Sequence, residues 1–343
     1  MEAATITEFP TKDAWRRERM TGLGGSDSAA VLGLSPWKNA TDVYMERVGL
    51  VDGPEENERM RWGTVLEEPI ADEYRKRTGC KFCRLDNAIA RHPQHNWMLA
   101  SPDRLIYGTK KGLEVKTAGG RAAYATDEDG NPLWGDEGTD QVPIYYLMQC
   151  QHYLAVTGFE EWDLAVLIGG QDFRVYTIKP DKDLHANMIE TLSQFWHEHV
   201  LAKVPPPAVD EKTRSRFLAA RFPLNNGKFL KADASTPELM EKVRALKIAR
   251  ALTEQAELGE LEASNTLKTL IAEYDGIEFE EVGKVQKITW KRSRDTTRTD
   301  WKAFAQSISP TPEQLSPFTT PQPGVRKLVV PRAWSASDKE TAE

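Results

Sequence analysis

The sequence predicts an α/β protein with a central mixed sheet flanked by helices, followed by a C-terminal helical arm. Three observations carry this reading. Up to residue 200, segments with helical apolar spacing alternate with short apolar runs of strand length. Two of those runs are split by a Gly-Gly pair, as in a hairpin. A proline-rich break, KVPPPAV at 203–209, then leads into a Lys- and Glu-rich stretch with apolar residues three and four apart.

In order, TDVYMERVGL (41–50) and EEPIADEYRKRTG (67–79) have helical spacing, and each stops at a glycine, which closes helices readily. NWMLAS (96–101), RLIY (104–107) and LEVKT (113–117) read as short strands. The segment 119–142 has no regular pattern and reads as a mobile flap. YYLMQCQHYLAVTG (145–158) is predicted as a helix ending at Gly158. WDLAVLIGG (162–170) and DFRVYTI (172–178) form the hairpin, and DLHANMIETLSQFWHEHV (183–200) a further amphipathic helix. Beyond the break, Leu239, Val243, Leu246, Ala249, Leu252 and Ala256 predict a helix interrupted near Gly259 and resumed through Leu261, Leu267 and Leu270. GKVQKITWKRSRDTTR (283–298) is a basic strand-like stretch suited to phosphate contact, with Trp290 available for stacking. The Pro-, Ser- and Thr-rich tail from 309 is predicted to be loosely ordered. These features divide the chain into a core, 1–204, and an arm with basic strand and tail, 205–343.

Composition narrows the class. With 343 residues, 40% apolar and 28% charged, the chain has material for a substantial core. The polar stretch MEAATITEFPTKDAW reads without a signal peptide, and runs such as LAVLI (164–168) are too short to span a membrane. Three cysteines make no disulfide framework, so the expected compartment is a reducing cytoplasm. A net charge of −7 argues against a lysine-coated, non-specific DNA binder but leaves room for a local basic channel. Cys80-x-x-Cys83 lacks the second pair that zinc requires, and the six histidines show no ligand spacing.

The chemistry concentrates in SPDRLIYGTKKGLEVKT (101–117). Glu114 and Lys116 are two apart on a strand and so share a face, with Leu113, Val115 and Thr117 on the other. If RLIY and LEVKT pair across GTKKG, residue 103 falls opposite 117, and Asp103 comes near Lys116. A surface salt bridge is one reading. The other is a site for a hard divalent cation, which takes carboxylate and carbonyl oxygens and keeps several waters. Such a cation on a phosphodiester stabilises transition-state charge, and a nearby lysine can act on the attacking water.

S-P-D followed by L-E-V-K resembles the PD-(D/E)xK nuclease motif. LGGSDSAAVLGLSPWKNATDVYMERVG (23–49), RWGTVLEEPIADEY (61–74) and YYLMQCQHYLAVTG (145–158) accompany it in the order typical of YqaJ-type viral recombinases, phage exonucleases similar to phage lambda exonuclease. This resemblance implies a restriction-endonuclease-like core and a Mg²⁺ cofactor, with Mn²⁺ able to substitute. It implies Asp103, Glu114 and the Val115 carbonyl as metal ligands, with Lys116 acting on the water. Glu67 completes the site, with Glu68 as competitor. Gln149 and Gln151 match the family's Q-x-Q helix, and Gln149 is favoured beside the lysine, with Tyr146 on the same general face. Glycines at 22–25 allow close backbone approach, and Ser26 or Asp27 can cap the helix that follows. The resemblance assigns Ser26 and Arg19 to a 5′-phosphate site. It leaves Trp37 either stacked near the DNA end or, as bulk favours, buried. The function it implies is 5′-to-3′ exonuclease action on linear duplex DNA for phage recombination, inside a bacterial host. It further implies a RecT- or Redβ-type annealing protein as partner and a ring trimer as assembly. A restriction or repair endonuclease and a catalytically silent DNA-binding scaffold are the alternatives.

Overall fold

The structure, a computed structural model, describes residues 4–53, 56–127, 129–230 and 236–298, and beyond them 300–301, 304, 310–319, 321, 324 and 327–328. The chain divides into two units, Met1–Phe222 and Pro223–Glu343. Most of the tail beyond 309 lies outside the described residues.

In the first unit, β1 (Thr5–Glu8) and α1 (Lys12–Arg19) lead into two short helices, α2 (Gly25–Val31) and α3 (Ala40–Arg47). The long helix α4 (Glu58–Thr78) follows. Asn57 caps its start and a left-handed Gly79 its end. It begins nine residues before the predicted segment and runs through Pro69. Then come β2 (Phe82–Arg84), β3 (Ala88–Arg91), β4 (Leu99–Ala100), β5 (Arg104–Ile106) and β6 (Lys111–Ala118). Helix α5 (Ile144–Thr157), strands β7 (Glu161–Ile168) and β8 (Asp172–Ile178), and α6 (Lys182–Gln194) complete the core. α6 continues as a wider π-type coil to Leu201. The proline-rich break ends in α7 (Glu211–Arg221), which returns to α3 through the Asn39–Thr213 hydrogen bond and the Arg216–Asp42 ion pair.

The central sheet has the order β2-β5-β6-β7-β8, with β6 and β7 parallel and every other pair antiparallel. It is mixed and flanked by helices, as the sequence predicts. A helix leading into an antiparallel pair, then a helix and a strand parallel to the second, is the αββαβ order of the restriction-endonuclease-like core. A separate sheet has the order β1-β3-β4, and of its strands only β4 lies in a predicted one, 96–101.

Strand alternation splits the core. Leu113, Val115, Ala165 and Phe173 pack with Ile70, Ala71 and Tyr74 of α4. Leu164, Val166, Ile168 and Tyr176 pack with Met148, Tyr153 and Leu154 of α5. Glu114 and Lys116 therefore face the α5 side. The β5–β6 register differs from expectation: Arg104 pairs with Leu113 and Leu105 with Gly112. The turn is tighter, with Gly108 left-handed (φ 73°), so Asp103 meets the start of the Glu114–Lys116 run rather than Thr117.

The segment expected as a mobile flap is fastened at its middle. Trp134 is buried against Tyr146 and Tyr176, and the Gly135 carbonyl accepts from the Tyr176 hydroxyl at 2.8 Å. Bulky apolar anchors inside a polar segment carry no periodicity, so sequence pattern misses them.

In the second unit, α8 (Pro237–Ile271) is one continuous helix of 35 residues. It passes through Gly259, where an interruption was predicted. A single helical glycine costs about 1 kcal/mol relative to alanine, too little to break a helix of this length. β9 (Gly276–Glu281) and β10 (Lys284–Thr289) form a hairpin. Only the first part of the basic stretch is therefore a strand; residues 290–298 have no regular structure.

Candidate active site

Asp103 and Glu114 come together at the edge where β5 enters the sheet. One Asp103 oxygen accepts from the Val115 amide at 2.9 Å, which locks the carboxylate beside β6. Glu114 is almost fully buried, and its Oε1 receives Lys116 Nζ at 2.5 Å and Gln149 Nε2 at 2.5 Å. Its Oε2 is buried without a hydrogen-bond partner among the described residues. A buried acceptor in that state is costly, and native sites that retain one call for an explanation.

Electrostatics give the same picture. Burial, the Glu114 charge and the Glu67 charge push Asp103 well above the usual carboxylate range, against the pull of Lys116. Burial raises Glu114 too, with Lys116 opposing and Glu67 reinforcing. Burial works against a charged Lys116, yet Glu114 and Asp103 outweigh it and hold the ammonium firmly protonated. Two desolvated carboxylates, one with an orphaned oxygen, are a hard-oxygen donor set that a divalent cation would satisfy. Among the described residues no group of three acidic, histidine or cysteine side chains forms a ready-made cage. The remaining positions would fall to backbone oxygen and water, as Mg²⁺ tolerates.

Glu67 and Glu68 are sorted by Arg104, which sequence reasoning missed. Arg104 follows Asp103 on β5, so alternation sends its side chain to the α4 face, where it is buried. Its guanidinium grips Glu67 at 2.7 Å and Glu68 at 2.7 Å, and also donates to the Asp103 carbonyl at 2.8 Å. Glu68 additionally binds Arg84 at 3.2 Å. Glu67 is the one whose charge raises Asp103 and Glu114.

α5 supplies the far wall. Gln149 links Glu114 to the Tyr153 hydroxyl at 3.0 Å. Gln151, two residues on, turns away: its amide donates to the Lys179 carbonyl, and its oxygen meets the Asp181 amide and His185. It fastens α5 to the start of α6 and does not join the cluster. Tyr146 does, with Lys116 Nζ 5.7 Å from its ring centre. Trp37, which bulk alone would bury, is 66% exposed. Its ring meets Tyr145 edge-on at 4.7 Å and lies 6.1 Å from Tyr146, so it borders the cluster on the solvent side.

Two glycines of the run permit close packing. A Cβ on Gly25 would sit 2.6 Å from the Tyr153 ring and 3.0 Å from Gln149 Cγ, and one on Gly22 would strike the Trp97 carbonyl. α2 is thereby pressed onto the Gln149–Tyr153 pair. Gly24 is its N-cap residue, and its amide donates to the Asp27 carboxylate at 2.9 Å. Ser26 is exposed in the first turn, and the Arg19 guanidinium lies beside Gly24 at that same helix start. Arg19 also stacks over Trp15 at 4.8 Å. Burial pushes Asp27 up, but Arg47, Lys38 and Arg19 overcome it and hold the carboxyl well below its usual range. The buried Arg47 and the partly buried Lys38 both bond to Asp27. His152, also missed, bridges the Ser28 hydroxyl at 2.6 Å and the Leu99 carbonyl at 2.9 Å, and burial lowers its pKa to about 4.

A family model described as the YqaJ-like viral recombinase domain matches residues 14–160. The uncharacterized protein YqaJ of Bacillus subtilis (strain 168) is 34% identical over 241 residues, covering 69% of this chain and 72% of that protein. An alkaline exonuclease, LHK-Exo of Laribacter hongkongensis, aligns with TM-score 0.45 and 22% identity over 60% of this chain and 97% of its own. A phage-related exonuclease from Haemophilus somnus 129PT aligns with TM-score 0.40 and 12% identity, over 53% of this chain and 96% of its own. With a relative this similar over most of its length, the chain belongs to the YqaJ-like viral recombinase family.

Proposed function

We propose that the protein is a divalent-metal-dependent deoxyribonuclease that digests linear duplex DNA from the 5′ end and leaves a 3′ single strand for annealing-based recombination. The observation that carries this is the buried Glu114 beside the half-buried Asp103, with Lys116 in contact and one Glu114 oxygen unsatisfied among the described residues. Asp103, Glu114 and the Val115 carbonyl would hold Mg²⁺, or Mn²⁺ in its place, and Glu67 would add charge behind them. When bound, the ion would polarise the phosphodiester and lower the pKa of the attacking water. Lys116 stays protonated, so it orients that water and meets charge building on the phosphate instead of removing a proton itself. Gln149 holds Glu114 in place, and Tyr146 lines the lysine.

Arg19 and the start of α2, with Ser26, supply a 5′-phosphate site, a cation beside the exposed Ser26 in the first turn of a helix. Trp37 offers an exposed ring on which an unpaired base can stack. Such a site selects one end of the duplex and so sets polarity. The reading carries with it a RecT- or Redβ-type annealing protein that takes the 3′ strand, a ring trimer around the DNA, and the bacterial cytoplasm as compartment. No helix among the described residues is long and apolar enough to cross a membrane.

Digestion of 5′-phosphorylated linear duplex beside a closed circle of the same DNA, with Mg²⁺ and with EDTA, tests the reading. Loss of the linear form alone, and only with Mg²⁺, is the expected result. Cleavage of the circle would replace the exonuclease with an endonuclease. Cleavage of neither, with binding retained, would leave a silent scaffold.

A further inference from the structure

Helix α8 carries an apolar face open to solvent. Ala245, Ile248, Leu252, Ala256, Gly259 and Ala263 recur three and four residues apart, and so share one side of the helix. All six are exposed, Ile248 by 54% and Leu252 by 60%.

The charges of this helix are sorted along its length. Residues 242–250 hold four cations and no acid: Lys242, Arg244, Lys247 and Arg250. Residues 254–262 hold four acids and no base: Glu254, Glu257, Glu260 and Glu262. The two sets are inversions of one another about Leu252. Arg250 and Glu254 lie two residues from it, Lys247 and Glu257 five, Arg244 and Glu260 eight, Lys242 and Glu262 ten. The apolar face inverts about the same point, with Ile248 and Ala256 at four residues and Ala245 and Gly259 at seven. Helix formation within one chain does not require this. Each cation set precedes its acid set, the less favourable order for pairs four apart such as Arg250 and Glu254.

A surface that is complementary to its own inversion is what a two-fold interface demands. We propose that α8 pairs antiparallel with α8 of a second copy of the chain, with the two-fold axis at Leu252. Leu252 then meets its counterpart, Ile248 shares a layer with the partner's Ala256, and Ala245 with the partner's Gly259. A larger side chain opposite a smaller one lets the helices approach closely, which gives Gly259 a purpose inside a helix. At about 100° per residue, Lys242, Arg244, Glu260 and Glu262 flank the apolar face. In the antiparallel pair Lys242 lies beside the partner's Glu260 and Arg244 beside the partner's Glu262, each pair occurring twice. A parallel pair would set four cations against four cations. Lys242 reaches its neighbour Glu241 at 3.3 Å within the chain, but an exposed pair of this kind competes little. The inference is independent of the nuclease reading.

Light-scattering mass of the full chain tests it. The wild type is expected to contain an even number of protomers, which for the proposed ring trimer means two rings joined as a hexamer, and Leu252→Glu is expected to halve the mass. Lys242→Glu with Arg244→Glu makes all four flanking positions acidic; Glu260→Lys with Glu262→Lys makes them all basic. Each double variant alone is expected at half the wild-type mass, with unchanged helical circular dichroism. An equal mixture of the two recovers the full mass in one-to-one ratio. An odd number of wild-type protomers, full mass in Leu252→Glu, or no recovery on mixing would overturn the antiparallel pairing.

Discussion

Lys116 shows how a single residue's environment fixes its chemistry. It is partly exposed, yet Glu114 and Asp103 keep it charged, so it serves as a fixed cation beside the carboxylates. Lys116→Ala should lower single-turnover cleavage of linear duplex by about 10²–10³ while DNA binding stays near wild type. A wild-type cleavage rate would remove it from the site. Arg104 acts one step back. A lysine there cannot fork to Glu67 and Glu68 together, so Arg104→Lys should cost about 1–3 kcal/mol in denaturant unfolding and raise the Mg²⁺ concentration needed for activity. Unchanged stability and metal requirement would show that the fork is dispensable. The sequence made Asp103, Glu114 and Lys116 legible because period-two alternation places them without tertiary knowledge. Arg104 was hidden for the same reason: alternation turns it to the opposite face, toward partners 36 and 37 residues away in sequence. Gln149 and Gln151 could not be separated by pattern, because what divides them is which neighbour, Glu114 or the start of α6, each one meets.

Among the elements, α5 joins the most parts of the site, and His152 is its fastening to α2 and β4. Its folded-state pKa of about 4 lies below the ordinary 6.5. The unfolded chain therefore binds the extra proton first as pH falls. The stability it contributes is complete above about pH 6.5 and is lost as pH falls toward 4, in total about 3 kcal/mol. Urea unfolding of the wild type and of His152→Gln across this range should show a steeper acid loss in the wild type. Parallel profiles would contradict a buried neutral His152. Elements with strong periodicity, such as α5 and the β7–β8 hairpin, lie where the sequence places them. The β5–β6 register did not, since the length of a turn is set by its own backbone geometry and not by the flanking apolar pattern. α8 ran through Gly259 because cooperative hydrogen bonding along 35 residues outweighs one glycine.

Across the whole molecule, the first unit gathers its candidate site around β6, the middle strand of its five-stranded sheet. α4 brings Glu67, β5 and β6 bring Asp103, Glu114 and Lys116, and α5 brings Gln149. Glu114 and Lys116 share β6, but the others come from other segments, so the fold must form before the site exists. The net charge of −7 does not describe the site, because Lys116 and Arg19 are placed locally, beside the carboxylates and at the start of α2. The most direct test of the central claim compares wild type with Glu114→Gln on 5′-phosphorylated linear duplex in Mg²⁺, reading cleavage and DNA binding together. The account predicts that the variant binds like wild type and cleaves at least ~10³-fold more slowly. Cleavage at the wild-type rate would contradict a metal-dependent site built on Asp103 and Glu114.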